Sequence, residues 1–179
     1  MLSACSVDQV YHHTVLDKQA NWVLLPVINQ SQTPQAGERV EAILASLLRS
    51  RGINHLTHYP RTPRSQILQM LDDPGRYNAA LKWALKQGFR YGITGTVEEW
   101  RYKAGLDGEP AVGITLRVID LSTAGSDHNN TETSQATTPV VIWSATGART
   151  GWGREGIAVA THTLLNKLLD GMVFSQHNK

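Results

Sequence analysis

The chain has 179 residues, 41% of them hydrophobic, which suits one core of ordinary size and gives no sign of a second. Lys and Arg number 17 against 15 for Asp and Glu, and the formal net charge of +2 sets up no long-range field that would draw nucleic acid, so no nucleic-acid partner is expected. No run of about eighteen apolar residues could cross a bilayer as a helix, and the single cysteine excludes an internal disulfide framework or a Cys-rich zinc site.

That cysteine is Cys5. Leu2-Ser3-Ala4-Cys5 has the form of a bacterial lipobox: an aliphatic residue, two small ones that admit a signal peptidase, and a thiol to receive diacylglycerol. A chance match of four loosely constrained residues is the alternative. Only Met1 precedes the box, whereas a precursor carries a charged and an apolar region there, so the precursor is expected to start further upstream. Acylation at Cys5 would anchor the chain, each buried CH₂ contributing about 0.8 kcal/mol. Ser6 stands where an inner-membrane retention Asp would, which favours the outer membrane. Residues 1–20 are expected to be lipobox and flexible tether, the stretch 6–20 being mixed and polar.

The domain is expected over 21–175. Trp22-Val23-Leu24-Leu25-Pro26-Val27 reads as a strand buried on both faces. Val40, Ile43, Leu44, Leu47 and Leu48 fall at helical spacing, and Gly52 ends that run after Arg49 and Arg51, cations at the negative end of a helix. A strand over 53–59 follows. Two short helices over 64–71 and 77–87 are then expected, separated by Asp73-Pro74-Gly75. Residues 89–100 read as a long strand whose alternation switches face near Val97. In 111–120, Val112, Ile114, Leu116 and Val118 form one apolar face. The glycines and Pro110 between these runs predict an antiparallel hairpin with a long tip over 101–110. Residues 124–138, rich in Ser, Thr, Asn and Gly, are expected to form a mobile loop. A last strand over 140–146 leads through 152–156 into a final helix striped by Ile157, Ala160, Leu164, Leu165, Leu168, Leu169 and Met172, with 176–179 a tail. The order predicts a single α/β (α+β) three-layer domain, a mixed β-sheet with flanking helices.

Familiar catalytic and cofactor patterns fail on geometry. Gly151-Trp152-Gly153-Arg154-Glu155-Gly156 matches G-x-G-x-x-G between a strand and a helix, but no second strand with a ribose-binding carboxylate can follow, and Trp152 obstructs a pyrophosphate. His55 and His58, three apart on a strand, point to opposite faces and cannot share a metal. Glu98 and Glu99 diverge in a strand, which spoils an acid/base pair. No H-E-x-x-H, G-x-S-x-G or P-loop occurs. No enzyme activity, cofactor or metal is expected; a hydrolase would need converging groups that no spacing reveals.

Two levels of resemblance add to this. The 22–27 run, Glu38-Arg39-Val40-Glu41 and Leu47-Leu48-Arg49-Ser50-Arg51-Gly52 resemble the opening of envelope lipoproteins related to the TolB amino-terminal domain, CsgG and LpoB. More specifically, Thr94-Gly95-Thr96-Val97-Glu98-Glu99-Trp100-Arg101-Tyr102-Lys103-Ala104-Gly105-Leu106-Asp107-Gly108-Glu109-Pro110, Val140-Val141-Ile142-Trp143-Ser144-Ala145-Thr146-Gly147 and Thr150-Gly151-Trp152-Gly153-Arg154-Glu155 resemble the PelC family. The similarity runs from Trp22 to the last helix; the departure is the 124–138 insertion, where relatives make a short turn.

The PelC resemblance implies a TolB amino-terminal-domain-like fold and a homo-oligomeric ring, a dodecamer, lipid-anchored on the periplasmic face of the outer membrane against its inner leaflet. The ring would sit beneath a PelB-like outer-membrane β-barrel/TPR protein and pass cationic Pel exopolysaccharide. It further implies a membrane-interface belt at Trp152 and a polysaccharide funnel position at Asp107, with Glu109 joined to it. An ordinary core Trp and a turn-forming Asp beside glycine are the structural alternatives for the first two. The looser resemblance leaves a second reading open, an LpoB-like synthase activator or a CsgG-like secretion-channel component.

Overall fold

The computed structural model describes residues 6–12, 14–60, 73–103, 108–122 and 139–175. In chain order its elements are β1 (Ser6–His12), β2 (Trp22–Leu24), β3 (Ile28–Asn29), α1 (Ala36–Ser50), β4 (Leu56–His58), α2 (Asp73–Gln87), β5 (Tyr91–Tyr102), β6 (Pro110–Asp120), β7 (Val140–Thr150) and α3 (Ile157–Leu169). Seven strands form one mixed sheet in the order β1-β7-β6-β5-β2-β4, with β3 also on β5. The pairs β1/β7, β7/β6 and β6/β5 are antiparallel, whereas β2 is parallel to β5 and β4.

The apolar run at 22–27 explains the layers. Trp22 and Leu24 join the core that holds Val40 and Leu44 of α1 and Leu164 and Leu168 of α3, while Val23 and Leu25 join Ala80 and Ala84 of α2 on the opposite face. Alternate residues thus carry one strand into two cores, as burial on both faces requires. Helix α1 ends as its sequence indicates. Gly52, at φ +89°, donates to Arg49 O at 2.9 Å and Ile53 donates to Leu48 O at 3.1 Å, the paired bonds of a Schellman stop with Ile53 buried.

The structure departs from the sequence reading in four places. Ser6–His12 is an edge strand rather than tether: it pairs with β7 from Ser6 opposite Arg149 to His12 opposite Trp143. Backbone pairing needs no apolar signal, so a polar segment can supply it. Leu16 is fully buried, and its amide and carbonyl bond Val173 O and Ser175 N–H, so residues 14–20 are also fastened to the domain. Asp73-Pro74-Gly75 begins α2 instead of preceding it, because a proline in the first turn lacks only an N–H that has no helical partner there. Strand β7 continues to Thr150, four residues past the expected end, held by Ala111 to Ile114 of β6 on one side and β1 on the other. The expected helix over 64–71, the loop over 124–138 and the tail 176–179 lie outside the described residues.

The face switch near Val97 is a bulge. The register of β5 on β6 jumps between Val97 and Glu99, so Trp100 rather than Glu99 continues the buried row of Tyr91, Ile93 and Val97. Beyond it, β5 and β6 pair up to Tyr102 opposite Pro110.

Candidate functional site

Three registers bring one end of the sheet together. Tyr102 lies opposite Pro110, Ala111 opposite Thr150, and Ser6 opposite Arg149. The start of β1, the tip side of the β5–β6 hairpin and the loop from β7 into α3 therefore share one edge of the domain. Hydrogen bonds lock them. Gly151 N–H donates to Pro110 O at 2.8 Å, Lys103 N–H to Glu109 O at 2.8 Å, and Lys103 Nζ to Thr150 Oγ1 at 3.0 Å.

The 151–156 loop is organised around Glu155. Arg149 Nη2 donates to its Oε1 and Oε2 at 3.1 and 3.3 Å, and the Trp152 amide donates to Oε2 at 3.0 Å. Glu155 N–H returns to Trp152 O at 2.9 Å, closing a four-residue turn with Arg154 at φ +69°. Gly156, the residue before α3, has no capping side chain, and the Tyr102 hydroxyl accepts the Ile157 amide at 3.0 Å in its place.

This geometry gives the G-x-G-x-x-G segment its own physical account. The Trp152 amide, which in a dinucleotide site would face phosphate, is held by the carboxylate of Glu155 inside the same motif. A fixed negative charge there opposes a pyrophosphate.

Among the sequence candidates, Trp152 lies on an exposed turn, 54% accessible, and not in the core. Glu109 is exposed at the same end. Cys5 and Asp107 lie outside the described residues; Cys5 directly precedes Ser6, and Asp107 directly precedes Gly108. His55 and His58 are both exposed, and Glu99 is paired with Arg101 at 2.8 Å. No group of three or more His, Cys, Asp or Glu is placed to hold a metal among the described residues.

Sequence reasoning missed Tyr102, Arg149, Arg154 and Glu155 as parts of this end. Their roles depend on a cross-strand register and a turn shape that spacing does not encode. The one available signal was the glycine at 151 before a bulky Trp152, which marks a backbone with no room for a side chain at that position.

The sheet order and helix layers define an α/β domain of a class with solved members. Lipoprotein GNA1162 from Neisseria meningitidis shares the fold, with a TM-score of 0.52 at 16% identity over 84% of this chain and 96% of that one. The PelC dodecamer from Paraburkholderia phytofirmans matches with a TM-score of 0.72 at 32% identity, covering 96% of this chain and all of that one. The chain belongs to the PelC family. No protein-family model and no curated protein matches it.

Proposed function

We propose that this protein is a non-catalytic outer-membrane lipoprotein, acylated at Cys5, that closes into a homo-oligomeric ring on the periplasmic face and funnels cationic Pel exopolysaccharide toward a PelB-like export barrel. The observation that carries this reading is the shared sheet end. The chain enters β1 one residue after Cys5, beside Arg149, and only three residues further along is the exposed Trp152. With so little chain between anchor and sheet, acyl groups at Cys5 would hold this end against lipid, where an indole with an apolar body and a polar N–H is favoured.

The second support is the assembly of the P. phytofirmans relative, a dodecamer. Symmetry changes the magnitude of weak features. One carboxylate, whether the exposed Glu109 or the Asp107 that shares its hairpin in sequence, has little effect on a polymer, but a closed ring of them would focus field in a narrow mouth and raise the local concentration of a cationic chain. The hairpin that carries both residues is bonded to the Trp152 loop, so in this reading the acidic mouth and the indole belt lie at the lipid side of one ring.

Negative-stain imaging of the full chain after detergent extraction tests the proposal. Closed rings of uniform subunit number are the expected result. A monomer at every concentration would overturn it, because funnel and belt both depend on many copies.

A further inference from the structure

We infer that Arg154, seated beside Trp152, binds the phosphate of an anionic phospholipid headgroup, with Lys103 as a second cation on the same surface. This rests on the membrane-facing reading of Trp152 above and specifies which lipid chemistry that surface takes.

Arg154 has a backbone that its side chain does not favour. At φ +69° it occupies the third position of the Trp152–Glu155 turn, in the left-handed region. A non-glycine residue there carries strain on the order of 1 kcal/mol. The chain does have a glycine in this turn, but at 153, one position too early to relieve it. Folding alone would favour glycine at 154. Nor does the arginine contribute an internal contact: it is exposed, and it makes no hydrogen bond or ion pair with any of the described residues. A strained guanidinium, exposed and without a partner among the described residues, is arranged for a ligand outside the chain.

The surroundings choose among partners. Arg101 and Arg149 are compensated by Glu99 and Glu155. Among the described residues the Lys103 side chain bonds the neutral Thr150 hydroxyl and no carboxylate. Among the described residues of this end, Arg154 and Lys103 are cations without an ion-pair partner, and Glu109 is the exposed carboxylate. Around them Trp152, Tyr102 and Val159 are 54%, 53% and 58% accessible. A guanidinium forks onto phosphate oxygens while indole and phenol rings settle at headgroup depth, so basic and aromatic groups together fit an anionic lipid surface. A cationic polysaccharide is repelled by Arg154, which separates this contact from the acidic part of the same end.

The test uses the full chain, unacylated through Cys5→Ser, sedimented with vesicles of phosphatidylcholine alone or of equal parts phosphatidylcholine and phosphatidylglycerol. The wild-type turn should bind the mixed vesicles more tightly and lose that preference as salt rises. Arg154→Gly should reduce the mixed-vesicle affinity by about fivefold per subunit, while its melting temperature stays equal or rises because the turn is relieved. Arg154→Lys should retain most of the binding, and Lys103→Gln should weaken it independently. Trp152→Ala should weaken binding to both vesicle types. Equal binding of the wild type to both vesicle types, with Trp152→Ala still weakening it, would overturn the headgroup inference and leave the docking reading standing. Binding to neither would remove both. Stabilisation of the unacylated chain by inorganic phosphate, with no vesicle preference, would assign Arg154 to a free anion and overturn the lipid assignment. Lost export by Arg154→Gly with unchanged vesicle binding would move the contact to a protein partner and overturn it equally.

Discussion

The amide of Gly151 donates to the carbonyl oxygen of Pro110 at 2.8 Å, stitching the loop after β7 to the first residue of β6. That closeness leaves no volume at residue 151. A Cβ would strike Glu155 Oε2 and come within 2.6 Å of Pro110 Cγ, and the proline ring cannot turn aside. Gly151→Ala must displace Glu155, which frees Arg149 and the Trp152 amide together. The expected cost is about 1–3 kcal/mol, measured by urea unfolding, and Gly153→Ala at the neighbouring exposed position should cost less.

The Tyr102 hydroxyl acts as a cap from another element. Because Gly156 offers the first turn of α3 no side-chain acceptor, the bond from Ile157 N–H to Tyr102 Oη at 3.0 Å satisfies one otherwise free amide. Tyr102→Phe keeps the ring and deletes the acceptor. A loss of about 0.5–1.5 kcal/mol is expected, with faster amide exchange at Ile157 than in the unaltered protein. Unchanged exchange there would show that solvent serves equally well.

Far from this end, Glu41 is nearly enclosed, 5% accessible, and joins three segments. Its Oε1 accepts Val27 N–H at 3.0 Å and Arg76 Nη2 at 3.3 Å, tying α1 and α2 to the loop between β2 and β3. One turn earlier Gly37 admits the Val27 carbonyl, so helix and loop there meet backbone to backbone. Glu41→Ala strands a largely buried guanidinium and an amide, at an expected cost of about 3–5 kcal/mol. Glu41→Gln retains an acceptor for Val27 and should cost less. Equal losses for the two would mean that the ion pair, and not the amide bond, dominates.

How far the sequence could be read follows from which forces mark it. Helix α1 was legible because Val40, Leu44, Leu47 and Leu48 bury a stripe and Gly52 supplies a left-handed stop; β6 was legible because Val112 to Val118 alternate. Strand β1 was not, since its place depends on backbone pairing with β7 and its mixed, polar-rich sequence gives no clear periodicity. The early start of α2 was hidden because Asp73-Pro74-Gly75 suits a turn and a first helical turn equally. At the site, the residues alone left Trp152 open between a core position and an interface one, and only the family resemblance favoured the exposed turn that the structure shows. The roles of Tyr102 and Glu155 required the register of β5 on β6 and of β6 on β7, which no single strand contains.

Burial holds the Tyr77 phenol above its ordinary pKa of 10.0, with the Arg117 charge pulling it partly back. The unfolded chain then gives up this proton first as the solution becomes alkaline, so above pH about 10 it binds fewer protons than the native state. Stability contributed by Tyr77 is complete below that value and lost as pH rises through the raised native pKa. Melting temperatures between pH about 9 and 11 should fall less steeply in Tyr77→Phe than in the wild type. Parallel curves would assign the alkaline loss to other groups.

Trp152 and Asp107 make separable contributions if the proposed ring is right. The Trp152 side chain is 54% accessible and its backbone amide, not its ring, holds the loop through Glu155. Trp152→Ala should therefore leave the unfolding midpoint within about 0.5 kcal/mol of wild type while shifting the protein from the membrane fraction toward the soluble one, most clearly when Cys5 is also replaced. Asp107→Ala should leave both folding and fractionation unchanged and reduce secreted polymer, and adding Glu109→Ala should deepen that loss because the two carboxylates share one field. A Trp152→Ala protein that unfolds early would make the indole a packing residue. An Asp107→Ala, Glu109→Ala pair that secretes normally would remove the acidic mouth from the mechanism while leaving the anchor and the ring intact.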